Sequence, residues 1–491
     1  MYPKRQTFLV LGLSRSGTAV AEFLLCKQAR VYVYDDVSSA RLETTANELQ
    51  QKGAIRAEKE RLAELADVCD ALVLSPGIPI DHPLAVAFKR RQKAVLGEAE
   101  IAARYLQQPI IAVTGTNGKT TTVSLISEIL NVGGITAYAC GNIGTPMVEF
   151  CKRQEDTVAV AEISSFQMET LNSFCPHIAV VLNVTEDHLN RHYTMENYIF
   201  LKKKLLKNST ESEYAVLNYD DTTVRSFAEK TKARVVWFSL RERVNGAYVD
   251  NGELYFNGEK ILPVSELPLG GAHNVLNALA AIATTKLMGV SNEQIASALS
   301  LFKGIKHRIQ EIGVVNGITF VDDSKGTNVD ATMKAAACMQ TETIILLGGK
   351  NKGYDYKKLF AGLKKTKVIH AVLYGENRYQ LLTCARELSY GSVTVCETFS
   401  FAVQVATLRA KAGQTVLLSP ASASFDEFAS YEERGDAFAQ IVQSFQKESE
   451  QSAKDTESAT ERFDEPIDGD GSDDIDGIDG VRADSVEGET E

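Results

Sequence analysis

The chain reads IIAVTGTNGKTTTVSLISEIL over residues 110–130, an apolar run followed by a glycine-bearing turn and a helical pattern. Glycines let backbone N–H groups approach phosphate oxygens, and the start of a helix adds a positive dipole. Lys119 supplies a positive charge, and the Thr120 hydroxyl suits Mg²⁺. The stretch therefore predicts a strand, a phosphate-binding loop and a helix. Val113 replaces the first glycine of the general pattern, so the match is to a shorter GxxGKT form, and a plain strand-to-helix turn is the alternative.

The same order of strand, glycine turn and helix is found before and after this stretch. Apolar residues 7–11 lead into GLSRSG at 12–17 and a helical pattern, and a second apolar run at 31–34 ends at Asp35. Strand patterns alternate with helical ones again between residues 318 and 418. Such alternation predicts an α/β fold whose sheets are mainly parallel and covered by helices.

The acidic residues are concentrated at the C-terminal end of the sequence. The 491 residues include 64 acidic and 52 basic side chains, for a formal charge of −12. Residues 448–491 hold 17 acidic and three basic residues, which leaves 47 acidic and 49 basic ones before them. A nearly neutral body argues against nucleic acid as a partner. A tail rich in Asp, Glu, Ser and Gly is expected to be disordered.

Composition also bears on the compartment. No apolar run approaches 18 residues, so we expect neither a membrane span nor a signal peptide. The eight cysteines are scattered without a CxxC pair, which favours free thiols in a reducing cytosol over disulfides or zinc. These features predict a cytoplasmic protein.

Two strand patterns end close to residues that can bind a metal ion. Glu162 follows the apolar run at 158–161, and His188 follows the run at 179–182 within NVTEDHL. The carboxyl ends of parallel strands meet at one edge of the sheet, where ligands of open α/β folds bind. Thr120, Glu162 and His188 could therefore hold Mg²⁺ beside ATP phosphates. A purely structural histidine at the start of a helix is the alternative for His188.

Four ordered motifs resemble those of the Mur ligases, ATP-dependent enzymes that form amide bonds in peptidoglycan synthesis. They are GTNGKTT at 115–121, EISSFQ at 162–167, NVTEDHL at 183–189 and GGAHNVLNALAA at 270–281, and the resemblance covers about residues 7 to 445. It implies a Rossmann-like UDP-sugar-binding domain (1–108), a central P-loop ATPase domain (109–306) and a C-terminal Rossmann-like domain that binds the amino acid (307–447). The acidic tail (448–491) lies outside it.

The resemblance also implies sites for ATP, for two Mg²⁺ ions and for a modified lysine. The lysine that CO₂ or bicarbonate carbamylates in this family corresponds best to Lys202, with Lys203 as the alternative. The implied metal ligands are Thr120, Glu162, His188 and carbamylated Lys202. The implied catalytic residues are Lys119, Glu162, His188, Lys202 and Lys325. The implied ATP-binding residues are Gly115, Thr116, Asn117, Gly118, Lys119, Thr120, Thr121, Asn274, Asn277, Arg308 and Asp323.

The C-terminal motifs resemble those of the family members that add D-glutamate. VDDSKGTN at 321–328 is similar to their DSKATN pattern, with Gly326 in place of Ala, and LLSPASASFD at 417–426 is similar as well. By this resemblance D-glutamate contacts Thr327, Lys352, Ser424, Phe425 and Tyr431, the last of which stands where many relatives carry Phe. The implied UDP-sugar-binding residues are Ser14, Arg15, Asp35, Ser75 and Gly77, with Asn142 reaching the sugar or its appended alanine.

The resemblance implies a reaction in two steps. The L-alanine carboxylate of UDP-N-acetylmuramoyl-L-alanine is expected to attack the ATP γ-phosphate, and the D-glutamate amine then attacks the resulting acyl phosphate. Lys119 and two Mg²⁺ ions would offset the repulsion between the anionic reactants. We expect a monomer. Two alternatives stay open: a sibling ligase that adds another amino acid or glutamylates a folate, and a nucleotide-dependent regulatory protein without turnover.

Overall fold

The computed structural model describes residues 6–152, 156–302, 304, 306–351 and 355–461. Within these residues three β-sheets follow one another along the chain, each covered by helices. Most neighbouring strands are parallel, which confirms the predicted α/β fold.

The first sheet is parallel throughout and has the strand order β3-β2-β1-β4-β5. β1 and β4 are almost entirely buried, as expected of central strands that are covered on both faces. The strands are β1 Thr7–Leu11, β2 Arg30–Tyr34, β3 Ile55–Arg56, β4 Ala71–Leu74 and β5 Ala94–Leu96. The helices are α1 Arg15–Cys26, α2 Ala40–Gln51, α3 Leu62–Val68, α4 Pro83–Arg90 and α5 Glu98–Tyr105.

The second sheet has the order β14-β13-β12-β11-β10-β9-β6-β8-β7, and its buried centre is formed by β6, β8 and β9. β12 pairs antiparallel with β13, and β13 pairs antiparallel with β14. The strands are β6 Ile110–Thr114, β7 Ala137–Gly141, β8 Val158–Glu162, β9 Ile178–Val181, β10 Tyr214–Asn218, β11 Arg234–Ser239, β12 Gly246–Asp250, β13 Glu253–Phe256 and β14 Glu259–Pro263. The helices are α6 Lys119–Val132, α7 Ser165–Met168, α8 Leu189–His192, α9 Met195–Lys203, α10 Thr222–Arg225, α11 Ala272–Leu287 and α12 Asn292–Ser300.

The third sheet has the order β15-β16-β20-β17-β18-β19, with only its first pair antiparallel. The strands are β15 Gln310–Val315, β16 Ile318–Asp322, β17 Thr343–Gly348, β18 Val368–Tyr374, β19 Val393–Val395 and β20 Thr415–Leu418. The helices are α13 Val329–Cys338, α14 Lys357–Leu363, α15 Arg378–Glu387, α16 Phe399–Arg409 and α17 Tyr431–Glu461.

The predicted domain boundaries at 108 and 306 stay predictions. Each sheet lies within one of the predicted segments, but the described residues up to Val442 form a single compact unit and those from Gln443 onward a second one. In the second unit, α17 continues to Glu461, so residues 448–461 are helical where the sequence analysis expected disorder. Glu, Gln, Lys and Ala are good helix formers, and this stretch has no glycine or proline. Residues 462–491 lie outside the described residues.

The cysteines and the helices are the two features to which the expectations from composition refer. Each of the eight cysteines lies outside a disulfide bond, and three of them are buried. In the part of the chain that the structure describes, every helix is too short or too polar to cross a membrane.

Candidate active site

The phosphate-binding loop lies between β6 and α6, as the sequence predicts. β6 is buried along its whole length, and Lys119 begins α6. The Lys119 Nζ donates hydrogen bonds to the carbonyl oxygens of Gly115 at 2.9 Å and Thr116 at 2.8 Å. Burial lowers the pKa of Lys119, although the nearby Glu162 carboxylate acts in the opposite direction. The lysine is thus folded back onto the loop whose backbone would surround a phosphate.

Glu162 ends β8 and faces the start of α6. Its Oε2 accepts a hydrogen bond from the Thr120 hydroxyl at 2.7 Å, and its Oε1 accepts one from the Asn142 amide at 2.8 Å. Burial alone would raise the pKa of Glu162, but the cations Lys325 and Lys119, together with these hydrogen bonds, lower it overall. The carboxylate is therefore ionised beside the phosphate-binding loop.

His188 lies at the start of α8 with a positive φ of 56°. Its ring packs against that of Phe166, with 4.7 Å between the centroids. The preceding residue, Asp187, was not singled out from the sequence, yet it is buried and accepts a hydrogen bond from Asn328 Nδ2 at 3.2 Å. The signal that could have identified it is an acid next to the histidine in the TEDH stretch.

The three consecutive lysines at 202–204 have different surroundings. Lys202 is buried, with 1% of its surface exposed. The Lys203 Nζ lies over the Phe227 ring at 5.6 Å, at the surface of the domain. The Lys204 Nζ donates a hydrogen bond to the carbonyl oxygen of Met168 at 2.8 Å. Burial therefore separates Lys202 from the other two, which the sequence could not do.

The environment of Lys202 favours the neutral amine. Burial lowers its pKa well below the ordinary value, and the positive charge of Lys119 acts in the same direction. Asp187 opposes this shift without cancelling it. The Nζ lies 4.5 Å from the centre of the Tyr198 ring. The Tyr198 hydroxyl in turn is 3.2 Å from Thr116 Oγ1 of the phosphate-binding loop.

One cavity of about 270 Å³, here called the phosphate cavity, brings together residues from all three predicted segments. Its lining includes the predicted catalytic residues Lys119, Glu162, His188 and Lys325 but not Lys202. The residues lining it are Arg15, Thr116, Asn117, Gly118, Lys119, Thr120, Asn142, Ile143, Gly144, Glu162, Asp187, His188, Arg308, Lys325, Thr327, Asn328, Tyr431 and Glu432.

A second cavity of about 470 Å³, here called the base cavity, shares Asn117, Gly118 and Arg308 with the first. Asn277 and Asp323 line it, whereas Asn274 supports it from behind by accepting a hydrogen bond from Asn277 Nδ2 at 3.2 Å. Sequence reasoning missed several further lining residues, although His273 stands inside the quoted GGAHN motif. Those residues are Leu182, Asn183, Asn218, Phe238, Leu240, Arg241, His273, Leu276, Ala331, Lys334 and Cys338.

Burial changes the charge state of two residues that line the base cavity. It lowers the pKa of His273 to about 4, with Arg308 acting in the same direction, so this imidazole is neutral at pH 7. It raises the pKa of Asp323 to about 7, although the hydrogen bond from Ser419 Oγ at 2.6 Å opposes the shift. His273 therefore gives the cavity an uncharged hydrogen-bonding group, which suits a nucleobase, whereas Arg308 and Lys334 add positive charge to the same lining.

Residues after position 307 reach the phosphate-binding loop directly. Arg308 Nη1 donates to Thr121 Oγ1 at 2.8 Å, and Asn117 hydrogen-bonds Asp330. Lys325 donates to the Tyr431 hydroxyl at 3.1 Å, and burial lowers its pKa to about 8.

The residues predicted to bind D-glutamate are only partly brought together. Thr327 and Tyr431 line the phosphate cavity. Ser424 is buried outside its lining, and Phe425 is 68% exposed. Lys352 lies outside the described residues.

The residues predicted to bind the UDP-sugar are also dispersed. Arg15 and Asn142 line the phosphate cavity, while Asp35 lines a separate cavity of about 700 Å³ beside β2. Ser75 is buried, and its hydroxyl donates to the carbonyl oxygen of Gly12 at 2.8 Å. Gly77 contributes its carbonyl oxygen to a contact with a residue of α8, and Ser14 caps the start of α1.

The polar groups around Glu162 suit Mg²⁺ only in combination with a substrate. Among the described residues there is no group of three or more His, Cys, Asp or Glu side chains placed to hold a metal ion by themselves. One carboxylate and one hydroxyl at a phosphate-binding loop match the usual habit of Mg²⁺, which takes few protein ligands and completes its shell with phosphate oxygens and water.

Family models match most of the chain. A Mur ligase MurD-like N-terminal domain matches residues 6–97, a Mur ligase middle domain matches 113–285, and a Mur ligase glutamate ligase domain matches 307–422.

Similar proteins are found among curated sequences and solved structures. The UDP-N-acetylmuramoylalanine--D-glutamate ligase of Thermoanaerobacter sp. (strain X514) is 40% identical, covering 89% of this chain and 98% of that protein. The ligase of the same name from Koribacter versatilis (strain Ellin345) is 40% identical over 88% and 96% of the two chains. The crystal structure of UDP-N-acetylmuramate-alanine ligase MurC from Thermotoga maritima matches with a TM-score of 0.59 at 18% identity, over 89% and 99% of the chains, and this supports the fold alone.

Proposed function

This chain belongs to the Mur ligase family, and we propose that the phosphate cavity is where it activates a carboxylate and forms an amide bond. The protein is an ATP-dependent ligase that adds D-glutamate to UDP-N-acetylmuramoyl-L-alanine through an acyl-phosphate intermediate. The observation that supports this location is that one cavity is lined both by the phosphate-binding loop and by Lys325, Thr327 and Tyr431 from the C-terminal segment.

ATP would lie across both cavities. Its base would occupy the base cavity beside Asn277 and His273, with Asp323 and Arg308 near the ribose and phosphates. Its phosphates would lie on residues 115–121, where backbone N–H groups and Lys119 compensate their charge. The proposal assigns Asn274 a supporting role, because it bonds Asn277 and Gly270 instead of lining the cavity.

In the first step, an oxygen of the substrate's alanine carboxylate attacks the γ-phosphorus, and the bond to the ADP oxygen breaks. Both reactants are anions, so the reaction needs positive charge placed where the phosphoryl group moves. Lys119 supplies that charge from the loop and Lys325 from the opposite side, each close enough to Glu162 to lower its pKa. Mg²⁺ held by Thr120, Glu162 and His188 would add further charge compensation.

Lys202 is the lysine we propose to be carbamylated. Carbamylation needs a neutral amine, whose nitrogen forms a bond to the carbon of CO₂ and loses one proton. The low pKa of buried Lys202 supplies this neutral amine, whereas a protonated lysine would be unreactive. The product is an anion near Lys119 and would extend the metal-binding set toward the loop, so that an attractive charge replaces a neutral amine beside this cation.

In the second step, the D-glutamate amine attacks the acyl carbon, phosphate leaves and the amine loses a proton to solvent. Thr327, Tyr431 and Lys325 line the side of the phosphate cavity where this amino acid would bind. The proposal also assigns contacts with D-glutamate to Ser424, Phe425 and Lys352, on the basis of the resemblance to the family alone. A dicarboxylic acceptor requires a cation, and Lys325 is a buried one.

The UDP-sugar would extend from the phosphate cavity toward the first sheet. Arg15 and Asn142 border the cavity, and Asp35 lines the separate pocket beside β2. Ser14, Ser75 and Gly77 lie on the turns between these places. We also propose that the protein works as a cytoplasmic monomer, as expected for an enzyme whose substrates are all small, water-borne molecules.

A panel of amino acids tests the reaction and its acceptor together. Full-length protein is incubated with ATP, Mg²⁺, bicarbonate, UDP-N-acetylmuramoyl-L-alanine and one amino acid at a time, and the product is identified by mass spectrometry. We expect phosphate release and a product heavier by one glutamyl residue with D-glutamate alone. A product with L-lysine or diaminopimelate would indicate a sibling ligase, and absence of phosphate release with every amino acid would indicate a protein without turnover.

A further inference from the structure

Arg191 joins the first sheet to the second through a set of contacts that the reaction described above does not use. Its guanidinium donates hydrogen bonds to three consecutive carbonyl oxygens after β4. They are those of Pro76 at 3.4 Å, Gly77 at 3.2 Å and Ile78 at 2.7 Å. The side chain is only 12% exposed. A planar group with five donors can serve these three carbonyl oxygens and further acceptors at once, whereas a lysine ammonium has only three donors.

The same guanidinium is held on its other side by the second sheet. Arg191 Nε and Nη2 donate to the two oxygens of Glu169, at 3.0 Å and 2.6 Å. Glu169 follows α7, the short helix that comes after Glu162 in the chain. The guanidinium also lies 4.9 Å from the centre of the Phe166 ring. Because the Glu169 carboxylate fixes it in a bidentate contact, its position depends on the segments after both β4 and β8.

Arg191 is also tied to the segment that carries His188. Its backbone N–H donates to the His188 carbonyl oxygen at 2.9 Å, within the single turn of α8. Tyr193, which ends that turn, donates from its hydroxyl to Asp81 Oδ2 at 2.9 Å. α8 is thus attached at two points to the loop at 76–81, one at Arg191 and one at Tyr193.

We propose that Arg191 is a positioning residue that couples binding of the UDP-linked substrate to binding of the Mg²⁺–nucleotide. The inference rests on the proposed function, which assigns Ser75 and Gly77 to the UDP-linked substrate and His188 to the metal. A substrate that orders the loop at 76–78 also orders the three acceptors of Arg191, and through α8 the backbone that carries His188. Linkage requires the converse as well, so that nucleotide binding favours the UDP-linked substrate by the same factor.

A residue that only stabilises the fold and a residue that couples the two ligands are expected to behave differently when they are replaced. Loss of a purely stabilising residue lowers the stability of the protein and weakens the binding of each ligand, whether or not the other ligand is bound. Loss of a coupling residue leaves each ligand's affinity alone nearly unchanged and removes the effect of one ligand on the other. The two are therefore separated by four dissociation constants measured on each variant.

Calorimetric titration of the full-length protein provides these constants. Mg²⁺ with a non-hydrolysable ATP analogue is titrated with and without saturating UDP-N-acetylmuramoyl-L-alanine, and the reverse titration follows. We expect coupling of about tenfold in the unsubstituted protein, within the usual range for linked sites. In Arg191→Ala the coupling should fall to within about twofold of none, while each ligand alone binds within about threefold of its original affinity.

Three further variants keep the result interpretable. Arg225→Ala removes an exposed arginine of α10 whose guanidinium lies 5.0 Å from the centre of the Tyr219 ring, and should leave coupling unchanged. If Arg191→Ala does not fold, Arg191→Lys keeps the charge without the planar fork and should also lose most of the coupling. Tyr193→Phe removes only the contact with Asp81 and should reduce the coupling less.

The outcomes separate this inference from the function on which it rests. If the unsubstituted protein does not bind UDP-N-acetylmuramoyl-L-alanine, the proposed function fails. If it binds both ligands but Arg191→Ala and Arg191→Lys retain its full coupling, or if it has no coupling to lose, the positioning role of Arg191 is wrong and the function stands.

Discussion

The pKa values of single residues in and around the two cavities differ from those of the free amino acids mainly because the side chains are buried. Lys202 and Asp323 are both removed from water, and both consequently favour their neutral forms. Glu162 is equally buried but stays ionised, because Lys325 and Lys119 are close. The charge of each of these residues therefore depends on neighbours from different parts of the chain. Substitution of such a residue tests the charge that we assign to it.

Lys202→Ala is expected to lower the rate of phosphate release by at least about 100-fold, because the carbamate that we propose as an anionic Mg²⁺ ligand could no longer form. The rate is measured at saturating substrates in CO₂-depleted buffer, before and after bicarbonate is added. Bicarbonate should stimulate the unsubstituted enzyme and not the variant. Lys203→Ala is the matched control, since Lys203 lies at the surface, and should behave like the unsubstituted enzyme. The opposite result for the two variants would transfer the role to Lys203.

Asp323→Asn is expected to gain thermal stability relative to the unsubstituted protein as the pH rises. The folded-state pKa of Asp323 is raised from 3.8 to about 7. Its contribution to stability is therefore fully present below the unfolded pKa and is lost as the pH rises through about 7. At 1.36 kcal/mol per unit the loss amounts to at most about 4 kcal/mol, which a permanently neutral Asn does not suffer.

Calorimetric melting temperatures at pH 5 and pH 8 provide the comparison for Asp323→Asn. Asp67→Asn is the control, because the hydrogen bond from exposed Arg91 lowers the pKa of Asp67, so that its contribution to stability is lost only at more acidic pH and should not change between pH 5 and pH 8. A difference between Asp323→Asn and the unsubstituted protein that is the same at both pH values would show that Asp323 ionises normally.

At the level of elements, the phosphate cavity is formed where strands end and helices begin. β6, β8 and β9 are adjacent parallel strands, so the loop at 115–118, Glu162 and the segment with His188 emerge at one edge of the sheet. Close packing between α6 and α11 completes the arrangement. Gly118 has a φ of 89°, and a Cβ at this position would lie 2.3 Å from Asn277 Oδ1.

Gly118→Ala is therefore expected to raise the KM for ATP at least about tenfold, because it displaces Asn277 from the base cavity in addition to straining the backbone. Gly134→Ala is the matched control: it follows the C-terminal end of the same helix and has a φ of 82°, but its Cβ would meet nothing within 4 Å. Both variants carry the backbone cost, so only the first should change the KM for ATP. Equal effects of the two would mean that the contact with Asn277 is unimportant.

At the scale of the whole molecule, the C-terminal segment completes a site that the central one begins. Arg308 contacts Thr121 of α6, and Asn328 contacts Asp187. Seventeen of the 64 acidic residues follow Lys447 in the sequence, so the formal charge of −12 says little about the substrates.

Truncation after Glu461, and separately after Lys447, is expected to leave kcat/KM within about twofold of the full-length value, as is usual for changes away from buried contacts. The longer deletion removes 17 acidic and three basic residues, which shifts the formal charge from −12 to +2. Steady-state kinetics of both proteins provide the measurement. A large loss on removing residues 448–461 alone would show that the boundary at Lys447 is wrong and that the end of α17 is part of the enzyme.

The sequence alone was sufficient to predict a residue's role where that role depends on its immediate neighbours in the chain. Strand ends, the phosphate-binding loop and the start of α6 could be predicted because glycine, apolar runs and helix patterns act over a few residues. The ordered motifs, compared with those of a known family, then indicated the acyl-phosphate chemistry and D-glutamate as the acceptor.

Tertiary structure alone decided the roles that depend on burial and on contacts between distant segments. Lys202, Lys203 and Lys204 are identical in sequence terms, and only packing against Tyr198 distinguishes Lys202. The contact of Asp187 with Asn328 and that of Arg191 with Ile78 could not be predicted, because these partners lie more than a hundred residues away. The physical reason is that hydrogen bonds and desolvation act through space, while a pattern in the sequence records only what is adjacent along the chain.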